Sequence, residues 1–193
     1  MFERFSDHAR RVVIVAAETA RTHHQPAVGT EHLLVGILEA GGPGGDALTS
    51  WEVTTHAVES KLTDISPDEG FDPTGHIPFT PKTKKIIESS LRQTALFGHE
   101  EIGTAHLLLA LLDDPASTGS RILTEIAPIG ITEMREHLRR ELEQHPTTGP
   151  THVIPIRLSD VEHTRADLAA RAAGQRLDTW LHDRIVDALE QPE

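Results

Sequence analysis

Apolar positions along roughly the first three quarters of the chain recur with a helical period, broken by short polar stretches bearing Gly or Pro. Ala9, Val13, Ala16 and Ala20 mark one face of a helix that begins after Ser6; Thr83, Ile87, Leu91 and Ala95 do the same after Thr80. Ser6 and Thr80 stand where an N-cap belongs, and Pro81 takes the first helical position, where its missing N–H costs nothing. Second helices open at Gly29-Thr30 and Gly103-Thr104 and carry Leu33, Leu34, Ile37 and Leu38, or Leu107, Leu108, Leu111 and Leu112. The Gly-rich stretch Gly41 to Gly45 and the segment Asp113 to Pro115 are expected to end them. Val58, Leu62 and Ile65 predict a further helix, as do Ile131, Met134, Leu138 and Leu142, and Pro67 to Pro78 reads as a polar loop.

The two sets of elements are copies. Val28-Gly29-Thr30-Glu31-His32-Leu33-Leu34 answers to Ile102-Gly103-Thr104-Ala105-His106-Leu107-Leu108, and Arg10-Arg11-Val12-Val13 to Lys84-Lys85-Ile86-Ile87. The register, an offset of 74 residues, runs without a gap from Phe5–Leu38 to Phe79–Leu112. Such self-similarity marks a duplicated supersecondary unit. The expected fold is mainly α, two tandem four-helix repeats related by a pseudo-twofold axis, with repeat one at 1–66, repeat two at 79–145 and the pair forming one domain over 1–145.

After a linker at 146–151 the pattern changes. His152 to Leu158 alternates, with Ile154, Ile156 and Leu158 on one side and Val153, Pro155 and Arg157 on the other, and two amphipathic helices follow at Val161 to Ala173 and Leu177 to Leu189. Strand, helix, turn and helix over 152–193 resemble a ribbon-helix-helix module. So short a segment cannot hold a core alone, which predicts a homodimer through this tail. In DNA-binding modules of that kind the outward strand residues read bases; here only Arg157 among them can do so.

Composition narrows the function classes. The chain has 193 residues, no Cys and a net charge of −12, which rules out disulfides and thiolate metal sites and disfavours non-specific nucleic-acid binding. The start Met1-Phe2-Glu3-Arg4 has no basic, apolar signal-peptide pattern, and no apolar run nears the roughly 20 residues a membrane helix needs. A cytoplasmic protein with no membrane contact is expected. The 13 His include no His-Glu-x-x-His pattern, and no nucleophile sits in a recognisable elbow. No metal, cofactor or catalytic residue is expected.

Met1-Phe2-Glu3-Arg4-Phe5, Gly29-Thr30-Glu31-His32-Leu33-Leu34 and Gly75-His76-Ile77-Pro78-Phe79-Thr80-Pro81 resemble the N-terminal domain of Clp ATPases of the ClpC type, in register across both repeats. The resemblance implies the double-repeat fold and a domain that captures substrates and adaptors. Full-length members continue into ATPase modules, whose phosphate loop ends in Gly-Lys-Ser/Thr; no Gly-Lys pair occurs in this sequence. The expectation is a protein that keeps the receptor and lacks the motor, and is not an enzyme.

The resemblance also implies two ligand sites. In the ClpC-type domain phosphoarginine places its phosphate at the helix start and its guanidinium on the Glu of the Thr-Glu-His motif. Site one is expected to combine Ser6, Thr30 and Glu31; site two has Thr80 and Thr104 but Ala105 in place of the carboxylate, which weakens it. Cyclic-peptide antibiotics such as cyclomarin bind actinobacterial members where the first helices of the repeats meet, which implies Phe2, Arg10, Val13, Ile14, Phe79, Lys84 and Glu88 here, with Ala17 where a longer side chain is usual. The expected function is a decoy or adaptor for the ClpC protease machine, with a peptide-like natural product or a phosphoarginine-bearing protein as partner, and ClpC-type ATPases or their substrates as further contacts. The alternative is a ligand-responsive transcription regulator that grips DNA through the tail.

Overall fold

The computed structural model describes residues 3–63, 75–144, 156, 158–175, 177, 180–181 and 183–185. The chain divides into two compact units, Met1–Thr151 and His152–Glu193. In the first, repeat one forms α1 (Asp7–Thr22), α2 (Thr30–Ala40), α3 (Gly42–Ser50) and α4 (Thr55–Leu62). Repeat two forms α5 (Pro81–Phe97), α6 (Thr104–Leu112), α7 (Thr118–Ile126) and α8 (Ile131–Gln144). The duplication therefore appears as two runs of four helices. Ser6 caps α1 by accepting from Ala9 N–H, and Thr80 caps α5 by accepting from Thr83 N–H.

The second helix of each repeat is the axis of the domain. Helix α6 is buried along its whole length and α2 nearly so, as expected of helices apolar on all sides. Helix α1 packs on α2 and α5 on α6, while α3 crosses to α6 and α7 crosses to α2, so each repeat's third helix sits on the other repeat. Gly36 lets α2 approach α1 closely: a Cβ there would lie 2.4 Å from the Val12 carbonyl oxygen. One continuous core runs through both repeats, from Phe5 and Leu34 to Leu108, Met134 and Leu138.

Three expectations need correction. Leu91, 41% exposed, and Ala95 face outward; the inner face of α5 is Thr83, Ile86, Ile87, Ser90, Gln93 and Thr94. Val13 is half-buried, and Val12 takes the core place beside Ala9 and Ala16. The Gly-rich stretch ends α2 at Gly41 but also starts α3, because Gly44 and Gly45 lie where a Cβ would come within 2.5 Å of Thr104 and 2.8 Å of Ile37 backbone oxygens. Ile65 and most of the Pro67 to Pro78 loop lie outside the described residues; Ile77 is buried with Ala16, Ala20 and Val28.

In the second unit α9 (Asp160–Ala172) is capped reciprocally by Ser159 and Glu162, and past its C-cap Ala173 comes Gly174, whose φ of 69° is left-handed. Val153, Ile154, Pro155 and Arg157 lie outside the described residues, and the described members of the expected strand, Ile156 and Leu158, form none. Among the described residues no helix is long and apolar enough to cross a membrane.

Candidate functional site

The segments ahead of the helices are exchanged between repeats. Phe5 pairs in parallel with Ile102, and Val28 with Phe79, two bridges that the 74-residue offset interconverts. Ser6 N–H donates to the Ile102 carbonyl (3.1 Å) and Ile102 N–H to the Arg4 carbonyl (2.7 Å). At the equivalent place Thr80 N–H donates to the Val28 carbonyl (3.0 Å) and Val28 N–H to that of Pro78 (2.7 Å). The start of α5 thus lies beside the start of α2, and the start of α1 beside that of α6.

This regroups the expected phosphoarginine residues. Thr30 and Glu31 belong with Thr80, and Ser6 belongs with Thr104 and Ala105, because the bridges run across the repeats. Thr30 and Thr104 are buried structural links: Gly119 N–H donates to Thr30 Oγ1 (3.0 Å) and Gly44 N–H to Thr104 Oγ1 (2.9 Å), so each repeat caps the other's third helix. Lys82, in the first turn of α5, donates from Nζ to the Ala116 carbonyl ahead of α7. At the equivalent place in α1 stands His8, its Nδ1 2.8 Å from where a Cβ on Gly42 would sit.

Glu31 folds back over its own helix start. Its side chain is 13% exposed, and a Cβ on Gly29 would lie 1.9 Å from Oε1. Burial pushes the carboxyl up from the ordinary carboxylate range, opposed by hydrogen bonds from its own backbone N–H and from the Thr30 and Thr118 hydroxyls. His32 Nδ1 lies 3.7 Å away but accepts from Gly29 N–H (2.9 Å), and burial lowers its pKa to about 4, so it offers no positive charge at neutral pH. A mostly buried carboxylate with hydroxyl and amide partners and, among the described residues, no charged cation against it can receive a guanidinium or ammonium group. At the position equivalent to Glu31, Ala105 presents a buried methyl in place of the carboxylate.

The cyclic-peptide residues fall on the faces of α1 and α5 and at the bridge between them. Phe79, half-buried, packs against the buried cluster of Ala16, Ala20, Val28 and Ile77 and so joins the start of α5 to α1. Ile14 is 58% exposed. Arg10, Lys84 and Glu88 are also exposed; Arg10 pairs with Asp7 (2.9 Å) and donates to the Glu3 carbonyl. Val13 is half-buried against the core, and Phe2 lies outside the described residues, as does Arg157. Sequence reasoning passes over Thr118 and Lys82; no local pattern marks them, since their partners stand far along the chain. Among the described residues no group of three or more His, Asp or Glu could hold a metal ion.

A tandem pair of four-helix repeats that exchange helix caps, with clefts at the joints, defines the class: a double-repeat helical domain. The chain belongs to the family described as the Clp repeat (R) N-terminal domain, matched over residues 4–126 and 78–177. It is 33% identical over 184 residues to the ATP-dependent Clp protease ATP-binding subunit ClpA homolog of Guillardia theta, covering 92% of this chain and 22% of that protein. It is 30% identical over 181 residues to the chloroplastic chaperone protein ClpC1 of Oryza sativa subsp. japonica, covering 93% of this chain and 18% of that one. The chain thus spans about a fifth of the length of these relatives. The fold matches the N-terminal domain of ClpD from Arabidopsis thaliana, with TM-score 0.60 and 22% identity over 74% of this chain and 99% of that domain. It also matches a ClpV N-domain in complex with VipB peptide, with TM-score 0.56 and 15% identity over 75% of this chain and 91% of that one.

Proposed function

We propose that the chain is a receptor for peptide-like ligands, capturing phosphoarginine-marked proteins or cyclic peptides of the cyclomarin type, as a decoy or adaptor for a ClpC-type protease machine. The observation that carries this reading is the Glu31 carboxylate, held without a cation beside the start of α5. A guanidinium matches that carboxylate, and a phosphate matches the helix start, whose first turn carries no acid and where Lys82, Lys84 and Lys85 gather. The role proposed for these residues is binding. Calorimetry with phosphoarginine tests it: one site per chain is expected, and Glu31→Ala should lose about tenfold or more in affinity, the worth of a charge-assisted hydrogen bond. A Glu31→Ala variant that binds as tightly as the parent removes phosphoarginine as the ligand of this cleft.

The cyclic-peptide reading is favoured by Ile14, an apolar side chain left 58% exposed on α1, the helix against which the half-buried Phe79 packs through Ala16 and Ala20. Titration with a cyclomarin-type peptide should saturate at one per chain, and Phe79→Ala should weaken it. Residues 152–193 serve in this proposal to pair two copies, which the exposed Val161 and Leu168 on α9 support. Sedimentation should return a dimer; a monomer at all concentrations removes that part.

A further inference from the structure

We propose that α9 packs against the α9 of a second copy of this chain, antiparallel, with Val161 of each copy set against Leu168 of the other. The inference rests on the reading that residues 152–193 join two copies, and it names the surface and the direction of that joint.

Helix α9 has two unlike sides. Ala170 is fully buried, and Ala166, Asp167 and Ala169 are half-buried, so this side packs within its own unit. On the opposite side Val161 is 69% exposed and Leu168 63% exposed, with Ala172 also open to water. Val161 and Leu168 are two helical turns apart and Ala172 lies about one turn further, so the three stand in one line. Among the described residues only Leu96 is a large apolar side chain more exposed than Val161.

The charges beside that line select a second copy and its direction. At 3.6 residues per turn Glu162 and Arg165 fall on one flank, and Asp160 and Arg171 on the other. Each flank therefore runs from an acid near the helix start to a base further on. Two such helices laid end for end bring each flank against its own copy, acid to base. With Val161 level with Leu168 of the other copy, Arg165 comes within about 3 Å along the axis of being level with Glu162 of that copy. Arg171 stands in the same relation to Asp160, and the twofold axis repeats both pairs. A parallel pairing instead collects Asp160 and Glu162 of both copies at one end. The four groups are exposed, and their present bonds leave room for a second partner: Glu162 holds Ser159 through Oε2, and Arg171 meets Asp167 through Nε (2.9 Å). Exposed ion pairs add little affinity, so the apolar line supplies the adhesion and the charges set the direction.

The test uses the full chain, whose lack of Cys makes any introduced thiol unique. Chains carrying Val161→Cys are mixed with chains carrying Leu168→Cys and oxidised, and the products are weighed by mass spectrometry. The mixture is expected to give the covalent heterodimer. Either variant alone should resist, because like positions lie about 10 Å apart along the axis, and a disulfide needs Cα atoms within about 7 Å. Sedimentation should show Leu168→Glu raising the dissociation constant at least tenfold, with an unchanged helical circular dichroism. Arg165→Glu should weaken pairing less, and less still in high salt. Single variants that cross-link as readily as the mixture overturn the antiparallel register. A parent that dimerises while Leu168→Glu dimerises equally well overturns α9 as the joint and leaves the pairing of copies to another part of the tail. A parent that stays monomeric at all concentrations overturns both this inference and the reading beneath it.

Discussion

Acidification should unfold this domain through two histidines that occupy the same place in each repeat. His32 and His106 sit in the first turns of α2 and α6, 1% and 2% exposed. Each accepts at Nδ1 from the N–H of the capping glycine, Gly29 at 2.9 Å and Gly103 at 3.0 Å. His106 Nε2 meets His99 Nδ1 at 2.8 Å. Since Nδ1 of His106 accepts, its Nε2 carries the proton and His99 is the acceptor. Protonating either buried ring would place a charge away from water and replace an acceptor with a donor facing an N–H. Burial accordingly lowers both pKa values from 6.5 to about 4. The unfolded chain then takes up protons below pH 6.5 while the fold does not, so stability is full above 6.5, falls as pH drops toward 4, and levels off below that. The loss comes to about 2 kcal/mol per histidine at pH 5 and about 3 kcal/mol each when complete. Against a typical stability of about 5–15 kcal/mol that is a large share. Glu31, whose pKa is raised, acts in the opposite sense near the carboxylate range, so the window from pH 6.5 to 5 is the one to measure. Urea unfolding followed by circular dichroism across that window should give a falling stability in the parent. It should give a much flatter one in the His32→Gln, His106→Gln double variant, because Gln can still accept from the cap N–H but does not titrate. If the double variant loses stability with pH as steeply as the parent, the assignment of the acid response to these rings is wrong.

Thr104→Val removes the acceptor for Gly44 N–H at a buried joint and should cost about 1–3 kcal/mol by chemical denaturation, with Thr104→Ser recovering most of it. His24 has φ of 52°, the left-handed region, at the position equivalent to Gly98, whose φ is 70°; His24→Gly should raise stability by about 1 kcal/mol, read as a higher urea midpoint.

The caps, the duplication and the two apolar axial helices were legible because each is written locally: a Ser or Thr ahead of a period, or a run of Leu with no polar side. The inner face of α5 was not. Its core positions include Ser90, Gln93 and Thr94, which hide their polar groups on the Ile87, Ser90 and Leu91 carbonyls and on Asp113, so a count of apolar residues selects Leu91 and Ala95 instead. Gly44 and Gly45 read as a helix stop although they lie near the start of a helix, since the close backbone that demands Gly44, that of Thr104, comes from the other repeat, and the one that demands Gly45, that of Ile37, from the preceding helix. The grouping of the candidate residues Ser6, Thr30, Glu31 and Thr80 was illegible for the same reason: it depends on which repeat each helix start lies against, and the offset of 74 makes both pairings look alike in one dimension.

The exchange of caps through Thr30 and Thr104 has a consequence for how this domain came to be and how it comes apart. A solitary repeat would have a third helix with an open amide and a threonine with nothing to receive, and a second identical repeat is the one object that answers both needs at once. Two separate copies meeting about a twofold axis would satisfy them as well as one fused chain does, so fusion adds tethering rather than a new contact. Melting should follow suit: where solenoid repeats fray one after another from an end, these two give up their protons to hydrogen exchange at a common rate, as a single cooperative unit.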